Sequence, residues 1–322
     1  MSGRIESNDA GWPVLSIVVE TINTARGKYG LLEEVLRALG EQTLPREAFE
    51  VLVVADPADH PSLDGLLSRV APRARLVHAP AMHYYAQKNL GARSARGRIV
   101  GFIDSDCIPK PSWGASVVEA FSRHGEELGA IAGTQWTDKS PMGVALVVSV
   151  FGHLQARAER RTVSLAASNC AFRRDDLLAH PFEEDPVFHG PDVRLVARLY
   201  RNGRFVLLVP EVATRHRHVP EMLPFFARGV YWGYCFVELR RDGSSPVRYG
   251  RLVRAFWPLA PLALVPAKLA VDLRRLLQRR KDIDLRPWQL AAPSGLLLLN
   301  SLAVGYGAAL SVARRPIPKT PF

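Results

Sequence analysis

From residue 14 to residue 104, apolar runs of strand length alternate with segments whose apolar positions recur at helical spacing. VLSIVVE (14–20) reads as a buried strand, and LLEEVLRALGEQ (31–42) places Leu31, Leu32, Val35, Leu36 and Leu39 on one helical face with Gly40 as its stop. FEVLVVAD (49–56), ARLVHA (74–79) and RIVGFID (98–104) supply three more strands, and YYAQKNLGARSARG (84–97) fills the last gap as a helix. Such alternation predicts an α/β chain on a doubly wound, mostly parallel sheet. Sheets of this kind bind ligands beyond the carboxyl ends of their strands, and Asp56 and Asp104 both fall there.

The second half is more mixed. GAIAGTQW (129–136), SLAASNCAFRR (164–174) and GRFVLLVP (203–210) have strand character, while PDVRLVARLYRNG (191–203) is an amphipathic helix closed by glycine. MLPFFARGVYWGYCFVELRR (222–241) interleaves aromatics with arginines, which suits either core packing or an amphipathic helix at a bilayer surface. A compact domain over 1–240 is expected, followed by a basic, apolar, membrane-associated helical region over 241–322. In that region 255–267 is apolar for thirteen residues but carries three prolines, too short and broken for a span. The stretch 288–313 runs twenty-six residues without a charge, enough at ~1.5 Å per residue to cross roughly 30 Å of hydrocarbon. If both crossed, the basic linker 273–286 would lie outside, against the positive-inside tendency, so 255–272 is read as interfacial or re-entrant.

Charge changes the picture in one respect. The net charge of +11 suggests a nucleic-acid footprint until it is mapped. Between Arg240 and Arg286 twelve Lys/Arg stand against four Asp, a local excess of 8 beside the most apolar segments, which favours an anionic lipid surface and no nucleic acid. Hydrophobic content of 48% over 322 residues excludes disorder and disulfide miniproteins. Cys107, Cys170 and Cys235 form no metal-knuckle spacing, and the polar first residues lack a signal-peptide core, so a reducing, cytoplasmic setting is expected.

The candidate chemistry centres on Asp104-Ser105-Asp106. Two carboxylates close together at a rigid strand end repel unless a divalent cation lies between them, and a hard cation with open positions holds phosphate oxygens. Oxygen ligands favour Mg²⁺ or Mn²⁺ over zinc. The plainer alternative is that Asp104 caps a turn and Asp106 is solvated.

Context selects between them. NLGARSARGRIVGFIDSDCIPKPSW (89–113) resembles the donor-binding segment of family 2 glycosyltransferases, with Asn89, Gly91, Gly97, Asp104 and Asp106 in matching order and spacing. LSIVVETIN (15–23), VLVVAD (51–56), SNCAFRRDDL (168–177) and the stretch 189–218 resemble further segments of that family, so the likeness covers roughly residues 14 to 235. The resemblance implies a GT-A fold and single-step inverting transfer from a nucleotide-sugar donor. It places Thr21, Asn23, Asp56 and Asn89 at the donor and Asp104 and Asp106 on ribose, diphosphate and metal. Asp192 becomes the general base and His216 a ligand of metal or diphosphate, with His218 and Arg215 as neighbours of the same kind. A carboxylate opening a helix suits the base role, since inversion requires proton removal from the attacking hydroxyl.

Three departures stand out. Asp56-Pro57-Ala58-Asp59 replaces the usual Asp-Asp-Gly-Ser, Pro191 replaces the usual glutamate before the base, and Glu20 occupies a position usually held by proline. With no Gln-x-x-Arg-Trp motif, single transfers are expected, to a lipid-linked glycan or glycolipid in cell-envelope polysaccharide biosynthesis. The expected location is the cytoplasmic face of the inner membrane. The alternatives are a nucleotidylyltransferase, for which ETINTARGKYG (20–30) is a poor triphosphate loop, and a non-catalytic scaffold that binds nucleotide sugars.

Overall fold

The computed structural model describes residues 13–24, 29–184, 190–217, 221–241, 243, 257–281 and 283–317. Two compact units share them: the first combines residues up to Gln135 with Ala156–Arg217, the second Trp136–Gln155 with residues from His218 onward.

The first unit is built on a sheet of nine strands among the described residues: β1 (Leu15–Glu20), β2 (Phe49–Ala55), β3 (Arg75–His78), β4 (Ile99–Ile103), β5 (Cys107–Pro109), β6 (Leu128–Trp136), β7 (Arg160–Thr162), β8 (Asn169–Arg173) and β9 (Phe205–His216). Their order is β3-β2-β1-β4-β8-β6-β9-β5, with β7 pairing to β9. The four strands β3-β2-β1-β4 run parallel, in register Leu15 to Phe49 on one side and Leu15 to Ile99 on the other. Their residues are apolar on both faces because a central parallel strand is covered on both sides, and every residue of β1 and β4 is buried. The doubly wound α/β class read from the alternation of elements is the observed one.

Beyond β4 the pairings become antiparallel. Asn169 stitches this half together: its buried side-chain amide donates to Thr134 O of β6 (2.8 Å) and Val212 O of β9 (3.1 Å), and its carbonyl accepts from Trp113 Nε1 (2.8 Å). Helices α1 (Gly30–Gly40), α2 (His60–Val70), α3 (Tyr84–Ser94), α4 (Trp113–His124), α6 (Arg174–Ala179) and α7 (Pro191–Arg201) belong to this unit. In α1 the expected face is buried through Leu32, Val35, Leu36 and Leu39, with Leu31 only partly covered. The helices α2 and α4 and the short strands β5 and β7 were not anticipated, and β9 extends six residues past Pro210 to reach His216.

The second unit contains α5 (Pro141–Leu146), capped by the Ser140 hydroxyl accepting from Gly143 N (3.0 Å), and a π-helical stretch Val147–Phe151. It continues with α8 (Met222–Arg241), α9 (Ala260–Arg279) and α10 (Ala291–Val312). Helices α8 and α10 approach so closely that a Cβ on Gly233 would lie 1.9 Å from Val304 O and one on Gly307 1.8 Å from Val230 O. Such small-residue contacts let backbones pack without intervening side chains. The interior is polar: Lys268 pairs with Asp272 and donates to Ser149, whose hydroxyl also accepts from Asn300 Nδ2 (2.8 Å). The outside is apolar, with Leu262 of α9 and Leu298, Leu299, Leu302 and Tyr306 of α10 exposed. Among the described residues one helical stretch, Pro287–Val312, is long and apolar enough to cross a membrane, at a mean hydropathy of 1.6. Residues 244–256, which include the first two positions of the 255–272 segment read as interfacial, lie outside the described residues.

Candidate active site

The carboxyl ends of β1, β2 and β4 deliver Glu20, Asp56 and Asp104, and β9 ends on His216 beside β5. After β4 the chain turns at once, with Cys107 N donating to Asp104 O (2.9 Å). That turn resolves the repulsion between the two aspartates by giving each its own partners.

Asp104 is directed to α3. Lys88 Nζ, fully buried, pairs with its Oδ1 at 2.7 Å; Tyr84 OH lies 3.0 and 2.9 Å from its two oxygens, and Asn23 Nδ2 donates to Oδ2 at 3.0 Å. Tyr84 and Lys88 are one helical turn apart, so one face of α3 serves a single carboxylate. Burial alone would lower the Lys88 pKa, but the charges of Asp104 and Glu20 outweigh it and hold the ammonium above its ordinary value. Asn23 also donates to Glu20 Oε1 (3.0 Å), and Ile22 N donates to Glu20 Oε2 (2.7 Å). Burial and then the Asp104 charge, only partly offset by Lys88, push Glu20 up to about 8.

Asp106 is directed to His216: Nε2 lies 3.8 Å from its Oδ2, and Cys107 Sγ donates to its Oδ1 at 3.4 Å. Donor atoms of Asp106, Cys107 and His216 all lie within 4.8 Å of one another. Burial, with Asp106 and Asp104 adding to it, pushes the Cys107 thiol well above its usual range. Ser105, between the aspartates, is buried with a hydroxyl that finds no partner among the described residues.

Asp192 enters on α7 through Gly190, which is left-handed (φ 71°), and Pro191, whose fixed φ suits a first helical position. Its Oδ1 accepts from Val193 N (3.0 Å). The residue keeps partial exposure, but enough protein surrounds the carboxylate for burial to raise its pKa to about 6. Buried Cys170 has its thiol raised by its own burial, with smaller effects from the charges of Lys88, Asp104 and Asp192.

The remaining expected residues have structural partners. Thr21 Oγ1 donates to Val54 O (3.2 Å), joining the ends of β1 and β2. Asp56 accepts from Ala58 N and Ala81 N, both at 2.9 Å, which pins the turn before α3. Asn89 faces away from Asp104 and holds the 182–184 segment through Phe182 N, Phe182 O and Glu184 Oε1. His218, Arg26 and Lys28 lie outside the described residues. The sequence reading missed Lys88 and Tyr84. Their signal was a lysine on a helix with no acidic residue within four positions, flanked by Gln87 and Asn89.

Comparisons with known proteins bear on the family and the fold. The family model Glycosyl transferase family 2 matches residues 16–180. Glycosyltransferase AglE of Haloferax volcanii is 30% identical over 123 residues, 36% of this chain; the match spans 38% of that relative's length. Among solved structures, the mannosyltransferase PcManGT from Pyrobaculum calidifontis, in complex with GDP-Man and Mn²⁺, superposes with a TM-score of 0.63 at 20% identity, covering 93% of this chain and 87% of that one. S. aureus TarS 1-349 in complex with UDP-GlcNAc superposes at 0.53 and 14% identity, covering 91% and 90%. At these identities the structures establish a common fold.

Proposed function

The chain belongs to glycosyl transferase family 2, and from that premise we propose that it moves a single sugar from a nucleotide-sugar donor to an acceptor hydroxyl, inverting the anomeric carbon in one displacement. The observation that carries the reading is the division of labour between the two aspartates: Asp104 held by Lys88, Tyr84 and Asn23, and Asp106 facing His216. Thr21, Asn23 and Asp56 frame the nucleotide at the ends of β1 and β2. Asn89 contributes by holding the segment that leads toward Asp192. Asp104, paired with Lys88, is suited to accept hydrogen bonds from the donor's hydroxyls.

The donor set fits a divalent metal: the Asp106 carboxylate and the His216 imidazole lie within reach of one another. Asp106 and His216 would hold Mg²⁺ or Mn²⁺, which would supply positive charge against the departing diphosphate, with Asp104 turned to the donor's hydroxyls instead of the expected place on the metal. Asp192, with a pKa near 6, is mostly ionised at neutral pH and still basic enough to accept the acceptor's proton. The acceptor is proposed to be a lipid-linked glycan or glycolipid at the cytoplasmic face of the inner membrane. Support comes from the basic stretch 240–286 and from the exposed leucines of α9 and α10.

The test is release of nucleoside diphosphate from a panel of nucleotide sugars with Mn²⁺. Turnover is expected with at least one donor, abolished by chelator and by Asp106→Ala. Turnover that survives both treatments removes the metal role of Asp106, and pyrophosphate as the product turns the reading toward nucleotidyl transfer.

A further inference from the structure

The register of the sheet puts a sulfur beside the candidate metal ligands. Cys107 is the cross-strand partner of His216 in the antiparallel β5–β9 pair. Directly opposed residues in such a pair project to the same face with Cβ atoms roughly 4.5–5.5 Å apart. The thiol is fully buried, lies 3.4 Å from Asp106 Oδ1 and belongs to the three-donor group within 4.8 Å. Carboxylate, imidazole and thiol together are a borderline-to-soft set, of the kind that suits zinc and its neighbours rather than magnesium.

We propose that Cys107 Sγ is the third protein ligand of the metal centre, and that this chain therefore binds thiophilic divalent ions in preference to Mg²⁺. On binding, the S–Hγ bond breaks, its proton passes to the buffer, and a sulfur–metal bond forms; Asp106 Oδ1 loses the S–H donor and becomes available to the ion. The ordinary alternative is that Cys107 is a small apolar residue of the core cluster that also holds Trp113 and Val117, whose S–H only caps Asp106. The proposal rests on the metal centre of the transferase reading but is tested without any donor.

Donor-free protein is titrated with Co²⁺ and its near-ultraviolet absorbance recorded. A thiolate-to-cobalt charge-transfer band is expected in the wild-type protein and in Cys235→Ser, whose cysteine lies in the second unit, and its loss is expected in Cys107→Ser. The same band in Cys107→Ser, or no Co²⁺ binding by the wild-type protein, overturns the proposal. Should Cys107→Ser fail to fold, the cadmium NMR shift of the wild-type protein decides: a downfield, sulfur-ligated resonance supports Cys107, and an oxygen-and-nitrogen shift overturns it. A Cys107-dependent band in protein that turns over no nucleotide sugar leaves this inference standing and removes the transferase reading. Turnover with Mn²⁺ and no band does the reverse.

Discussion

Lys88 and Asp104 form an ion pair that solvent hardly reaches, and the consequences of breaking it are larger than for a surface pair. Lys88→Ala leaves a carboxylate with two neutral donors and no counter-charge, and is expected to lower stability by about 3–5 kcal/mol. Denaturant unfolding measures this; a loss below about 1 kcal/mol would mean that solvent screens Asp104. Asp192 makes a kinetic prediction. Its burial-raised pKa of about 6 means that the reactive, ionised form is lost on acidification, so the transfer rate should rise about tenfold per pH unit below that value and level off above it. Asp192→Asn should retain donor binding, lose transfer and erase this limb of the pH profile; an unchanged profile would remove Asp192 from the base role. In the sequence Asp104 and Asp106 stand out as two carboxylates closing an apolar run, whereas Asp192 and His216 were reached through the resemblance to family 2 glycosyltransferases. Lys88 was legible in neither way, since the residue that explains it lies 16 positions away and is reached only when α3 packs on the sheet. Nor was the separation of the two aspartates, which follows from a turn whose partners come from α3 and β9.

At the level of elements, hydrophobic period located what is long and amphipathic or long and buried. The strands β1, β2, β3 and β4 and the helices α1, α3 and α7 agree with the expected spans to within about three residues, the usual uncertainty of helix and strand ends. The short strands β5 and β7 escaped because three residues carry no measurable period, and tertiary pairing with β9 is what makes them strands. Helix α10 shows the opposite effect: its uninterrupted apolar run reads as uniform, yet one side is packed on α8 and carries Asn300, Ser301 and Ser311 while the other presents leucines. The α8–α10 contact depends on the missing side chains of Gly233 and Gly307. Gly307→Leu is expected to separate the helices and to increase proteolytic cleavage within the second unit, whereas Gly295→Leu, where nothing lies within 4 Å of an added Cβ, should be neutral. Equal protease resistance of the two variants would contradict the close approach.

At the scale of the whole molecule, charge and apolar surface act together. On the proposed membrane role, the basic stretch 240–286 would provide attraction that salt screens, and the exposed leucines attachment that salt does not weaken. The protein should therefore sediment with vesicles containing anionic lipid. High salt should slow its capture but not release protein already bound; full release by salt would mean electrostatic adsorption alone, and no sedimentation would remove the membrane reading.

The sheet of the first unit is continuous from β3 to β5. Its parallel side carries Asp56 and Glu20, its antiparallel side carries His216, and the β4–β8 ladder with the Asn169 amide joins them. A jaw-like swing of one side against the other would tear that ladder, so within this unit the distance from the Asp56 end of the sheet to the His216 imidazole is a constant of the architecture. Movement that admits a ligand would then fall to connecting segments and rotamers, with the spacing of Glu20, Asp56 and His216 held by the sheet.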